Sequence, residues 1–201
     1  MTAASIAHES HHDDSALALY REVADIRLLG FVLFLISDCV LFSSFIFAYI
    51  YMRNAAPVWP PAGVGQPDAN LAAVNSIVLF GSGATMHFAM ENWKHGTEVK
   101  FRRWLVATIV LGAMFLGGQG WEYTHINATW SGSTFGAAFF TLTGMHGFHV
   151  FCGIIFLTVL LNQSLAGVYN KKQYFGLVAG TLYWHFVDVI WVFLFFLFYV
   201  W

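Results

Sequence analysis

The stretch Tyr183-Trp184-His185-Phe186-Val187-Asp188-Val189-Ile190-Trp191 decides how the chain is read. It lies inside an apolar run over residues 175–200. A helix of about 20 apolar residues, rising about 1.5 Å each, crosses the roughly 30 Å hydrocarbon core of a bilayer. The run is therefore long enough to span a membrane. His185 and Asp188 are three apart and share a helical face, here at mid-membrane depth. Charged groups at that depth cost on the order of 2.5–3.5 kcal/mol each on insertion scales. Their partners must be sought in the rest of the chain.

Composition sets the class. Of the 201 residues, 58% are hydrophobic, 18% aromatic and only 10% charged, against roughly 25% charged in soluble domains. This is the composition of an integral membrane protein. The formal charge of −2 provides no basic excess, so nucleic acid is excluded as a partner. Cys39 and Cys152 lie in apolar runs without CxxC or CxxCH spacing. Disulfide, zinc-finger and c-type haem readings fail, and both cysteines are expected to be small buried hydrophobes.

Taken in order, residues 1–27 form a polar segment expected to be a disordered cytoplasmic tail; His8, His11 and His12 sit there beside Asp13 and Asp14. No apolar stretch follows a basic start, so it does not read as a cleavable signal. Five spans follow at about 28–51, 71–90, 104–123, 135–161 and 175–200. Trp59-Pro60-Pro61 with Gly63, Gly65 and Pro67 marks a loop after the first span. In the third span Gly112, Gly117, Gly118 and Gly120 favour close helix approach. The expected fold class is an all-α membrane protein, a five-transmembrane-helix bundle without an internal repeat.

Basic residues predict its orientation. With the N-terminus inside, Arg21, Arg27, Lys94, Lys100, Arg102, Arg103, Lys171 and Lys172 are cytoplasmic, and the other face keeps only Arg53. Positive charge stays inside, which puts the N-terminus in the cytoplasm and the C-terminus outside.

Counting along the spans places Asp38, His146, His149, His185 and Asp188 near the midplane, as one polar layer. His87 belongs nearer the cytoplasmic face, and Glu122 and Asn75 nearer the outer one. Paired histidines could ligate haem, but two on one helix at i, i+3 cannot grip it from opposite sides, so His185 would have to face His146 or His149. His149, His185 and Asp188 are ligand types for a metal without a diagnostic spacing. Asp38, a lone intramembrane carboxyl, is a candidate for proton handling. For His146, His149, His185, Asp188, Glu122 and Asn75 the preferred reading is interhelical hydrogen bonding that holds the bundle together. There is no phosphate-binding Gly-rich loop, nucleophile elbow or HExxH, hence no catalytic set.

Several separated motifs carry a family resemblance. They are Trp59-Pro60-Pro61, Gln119-Gly120-Trp121-Glu122-Tyr123, Thr143-Gly144-Met145-His146-Gly147-Phe148-His149-Val150, and the opening stretch from Tyr183 to Trp191. In this order they resemble subunit III of the haem-copper terminal oxidases, in its short bacterial form, from about residue 25 to the end. The resemblance implies a chain with no catalytic, metal or cofactor-binding residues of its own. Haem and copper would sit in subunits I and II, where oxygen is reduced to water and protons are pumped. Subunit III is expected to pack against subunit I, hold phospholipid and sustain proton uptake, in a bacterial cytoplasmic (inner) membrane.

Two departures from the family pattern matter. Longer members have two further helices, facing the rest across a lipid-filled cleft, so lipid sites built from both sides do not carry over whole. The family often has Glu, the site of carbodiimide modification, where this chain has Asp38 in Ser37-Asp38-Cys39. Ser-Asp-Cys also occurs in quinol-oxidase members, whereas the Trp-Pro-Pro loop points to cytochrome c oxidases. Cytochrome c is the expected electron donor of the complex and quinol the alternative; a self-contained haem-binding electron carrier is the more distant reading.

Overall fold

The structure, a computed structural model, describes residues 3–61, 64–65, 67–126, 132–167, 169 and 175–201, with side chains from residue 26 onward. Its helices are α1 (Ala3–Ala55), α2 (Ala69–Lys94), α3 (Glu98–His125), α4 (Thr134–Leu165) and α5 (Phe175–Phe195), the last continued by a π-helical segment, Phe196–Val200. Five stretches are long and apolar enough to cross a membrane: Ile26–Ala55, Ala69–Lys94, Glu98–His125, Thr134–Leu165 and Phe175–Val200. The described residues contain no strand, and the all-α, five-span class is the observed one.

The helices overrun the expected spans because their polar ends stay helical. Glu91 pairs with Lys94 and His95, and Glu98 with Arg102 at 3.0 Å, all at helical i,i+3 or i,i+4 spacing. The charged connection expected over residues 91–103 therefore shrinks to a tight turn at His95–Thr97, where Gly96 takes φ +74°, open to glycine at little cost. Asp68 caps α2 by accepting from the amides of Asn70 and Leu71, and Ser133 caps α4 through Gly136. The N-terminal segment also differs from the expected disordered tail: its backbone is helical from Ala3. It carries Ala3, Ala4, Ala7, Ala16, Leu17, Ala18 and Leu19 and neither Gly nor Pro before residue 28, a composition that favours helix. The side chains of His8, His11 and His12 lie outside the described residues, as do Lys171 and Lys172.

The chain divides into two compact units, Met1–Asp38 and Cys39–Trp201. In the first, Ile26, Leu29, Leu33 and Ile36 are exposed, as suits a lipid-facing helix, and the Ser37 hydroxyl donates to the Phe34 carbonyl at 2.7 Å. In the second, α2 packs on α3, α3 on α4, α4 on α5, and α5 back on α2, closing a four-helix ring. Half of the most apolar stretch of α5 is buried, against 28–33% for α2, α3 and α4. Trp184 is the reason the ring can close tightly. A Cβ on Gly112 would stand 2.6 Å from its indole, and one on Gly153 2.9 Å, so only hydrogen fits at either place. Over residues 39–55, Phe42 and Tyr49 are the fully buried side chains. The cysteines depart from expectation: Cys39 is exposed and Cys152 half-buried.

Candidate functional site

The interior of the second unit is pinned by polar side chains of α2. Its serines are short enough to sit against a neighbouring helix, and each spends its own proton on a carbonyl of its own helix: Ser76 on Ala72 and Ser82 on Leu79. Their oxygens then accept the buried indole N–H groups of α5, Trp191 to Ser76 at 2.8 Å and Trp184 to Ser82 at 3.0 Å. As α2 and α5 are antiparallel, the ascending tryptophan pair meets the serines in descending order. Asn75 Nδ2 donates to the Phe115 carbonyl at 3.1 Å, and Gly118 leaves room for it, since a Cβ there would lie 2.3 Å from Oδ1. The Thr85 and Thr108 hydroxyls, 2.8 Å apart, join α2 to α3.

A second cluster links α3 to α4 and the C-terminal segment. Glu122 is 4% exposed and accepts from Gln119 Nε2 at 3.1 Å and from the Tyr199 hydroxyl at 2.8 and 2.9 Å. Next to it, the Tyr123 hydroxyl lies 2.7 Å from that of Thr143. A carboxyl group in a membrane interior is costly, and this one is held by two donors.

The histidines are placed less uniformly. His146 is fully buried, stacked on Trp191 with ring centres 5.0 Å apart and edge-on to Phe115 at 5.8 Å. Neither of its ring nitrogens makes a hydrogen bond among the described residues. In place of the expected interhelical hydrogen bond, His146 makes aromatic contacts with Phe115 and Trp191. His149 Nδ1 lies 2.8 Å from the Met145 carbonyl, its ring meets Phe42 at 5.0 Å, and its carbonyl accepts from Tyr183 at 3.1 Å. His185 Nδ1 stands 3.8 Å from Asp188 Oδ2 within α5, its side chain 43% exposed and that of Asp188 12%. Asp188 is aimed at α2, where a Cβ on Gly83 would come to 2.3 Å from Oδ2. Asp38, in the first unit, is half-buried within the Ile26–Ala55 span. Among the described residues no three His, Cys, Asp or Glu side chains converge into a group that could hold a metal.

At the end of the bundle where α1 leads into the Trp-Pro-Pro loop, Trp59 Nε1 donates to the Tyr49 hydroxyl at 3.2 Å, and Tyr49 packs on Phe198 at 4.7 Å. Arg53 donates to the Trp201 carbonyl at 2.5 Å with its guanidinium 3.9 Å above the Trp201 ring. Sequence reasoning missed Tyr49, Arg53, Ser76, Ser82 and Tyr199. The available signal was the buried indole or phenol that must find a partner; the identity of that partner depends on helix rotation.

The fold and its pinned interior define a class: a polytopic helical membrane protein in which several buried polar groups join helices. A family model described as Cytochrome c oxidase subunit III matches residues 11–201. The chain is 37% identical over 177 residues to "Cytochrome c oxidase subunit 3" of Synechocystis sp., covering 88% of this chain and 76% of that one. It is 36% identical over 180 residues to the protein of the same name from Thermostichus vulcanus, covering 89% of each. The protein of that name from Triticum aestivum is 39% identical over 178 residues, 86% of this chain and 67% of its own. The chain belongs to the cytochrome c oxidase subunit III family.

Proposed function

We propose that this chain is the non-catalytic third subunit of a cytochrome c oxidase, a haem-copper oxygen reductase of aerobic electron transport. The family match across residues 11–201 carries the reading. Haem and copper belong to subunits I and II, against which this chain packs, and cytochrome c delivers electrons to the complex. The chain contributes a rigid helical body, in which the Trp184–Ser82 and Trp191–Ser76 bonds hold α5 against α2. It also contributes surfaces that retain phospholipid, and the Asp38 carboxyl within the first span as a group supporting proton uptake. The N-terminus is cytoplasmic and the C-terminus external, following the placement of the basic residues. The membrane is a bacterial cytoplasmic one, in keeping with the high coverage of the cyanobacterial relatives.

Affinity purification of the tagged chain from its native membranes tests this. It should bring down a large subunit bearing haem and copper together with cytochrome c oxidation. A chain recovered alone and monodisperse, or one whose isolated form shows a Soret band abolished by His185→Ala, would overturn the reading.

A further inference from the structure

Where α2 turns into α3, a cavity of about 600 Å³ is lined by Phe88 and Asn92 of α2 and by Lys100, Arg103, Trp104 and Ala107 of α3. Four of the basic residues stand at this end of the bundle: Lys94, Lys100, Arg102 and Arg103. Two are engaged. Lys94 pairs with Glu91 at 3.6 Å, and Arg102 is held by Glu98 at 3.0 Å and by the hydroxyl and carbonyl of Ser164 at 3.1 and 2.7 Å. Among the described residues Lys100 and Arg103 have no ion pair or hydrogen bond, and these are the two that line the cavity.

Below the two cations the wall becomes apolar. The Phe88 and Trp104 rings lie 5.3 Å apart, both partly exposed. Residues 100, 103, 107, 110 and 114 recur at helical spacing, so one face of α3 runs from cations through Ala107 to the exposed Val110 and Met114. Charge at the helix end, a ring pair beneath it and an apolar stripe beyond match the shape of a single-headed amphiphile.

We infer that this cavity binds an anionic phospholipid, the phosphate of its headgroup between Lys100 and Arg103 and an acyl chain along Trp104, Ala107 and Val110. Arginine offers its fork of donors to phosphate oxygens, and lysine adds a point charge. Free phosphate shares the headgroup chemistry but would gain nothing from the apolar stripe. The inference rests on the membrane-subunit reading above and locates one lipid on this chain's own residues.

The test uses the purified, delipidated complex and native mass spectrometry with phosphatidylglycerol, phosphatidylcholine and glycerol phosphate as separate probes. Phosphatidylglycerol should bind the native complex, and Lys100→Gln with Arg103→Gln should weaken it about tenfold or more, at roughly 1 kcal/mol per basic residue, leaving phosphatidylcholine unchanged. Ala107→Leu, which fills the cavity, should weaken both lipids with the cations intact. Unaltered phosphatidylglycerol binding in the double variant would overturn the site. Glycerol phosphate binding as tightly as the lipid, indifferent to Ala107→Leu, would overturn the lipid in favour of a free anion. If no complex assembles around the chain, the subunit reading fails, and the same titration on the full chain in detergent still decides the lipid site.

Discussion

Asp188 shows what a single polar residue asks of its surroundings in a membrane. Its carboxyl is turned to α2 and kept within 3.8 Å of His185, and the neighbouring helix accommodates it only because position 83 is glycine. Asp188→Asn replaces the carboxyl that faces His185 at nearly constant volume and should cost about 1 kcal/mol, within the range of intramembrane polar contacts. Subunit retention during detergent heating measures this, and unchanged retention would sink the pairing. Asp38 calls for a different probe. A hydrophobic carbodiimide should modify it in the assembled complex and leave Asp38→Asn unmodified; peptide mass mapping reads the result. The kinds of residue that would matter were legible in the sequence, since a carboxyl or imidazole in an apolar run stands out. Their partners were not, because whether His146 meets a donor or the faces of Phe115 and Trp191 depends on how three helices are rotated.

At the scale of the helix, α5 is fixed by two indoles and the small residues that make room for them. Gly112→Ala should be among the most damaging single-methyl additions, because the obstacle at 2.6 Å is the rigid ring of Trp184. An overpacking cost of about 1–3 kcal/mol is expected, seen as a lower thermal midpoint in detergent. Gly117→Ala, with nothing within 4 Å, is its control and should be neutral or slightly stabilising. A double-mutant cycle between Trp191→Phe and Ser76→Ala should return a coupling of about 0.5–2 kcal/mol, and zero coupling would remove the pin. The number of helices could be read from the sequence because bilayer thickness sets a minimum apolar length. Their ends could not, since charged residues such as Glu91, Glu98 and Arg102 continue a helix beyond the hydrocarbon once i,i+4 pairing supports it.

For the whole molecule the outstanding prediction is orientation. Reporter domains fused at the two ends should be active on opposite sides of the membrane, the amino-terminal one in the cytoplasm; the same side for both would contradict five spans. The family was legible from four spaced motifs, yet the reason for their spacing emerges only in three dimensions: the Gln119–Tyr123 motif and Tyr199 share one cluster, and the Tyr183–Trp191 motif meets serines more than a hundred residues upstream. That last arrangement bears on biogenesis. Of the four helices in the ring, α5, which closes it, is the last to leave the ribosome. Until it arrives, α2, α3 and α4 must wait in the bilayer as an open ring, with Ser76 and Ser82 lacking the indoles they will later receive. A nascent chain arrested before Phe175 would thus be inserted but unfinished, the kind of intermediate that membrane quality-control proteases remove.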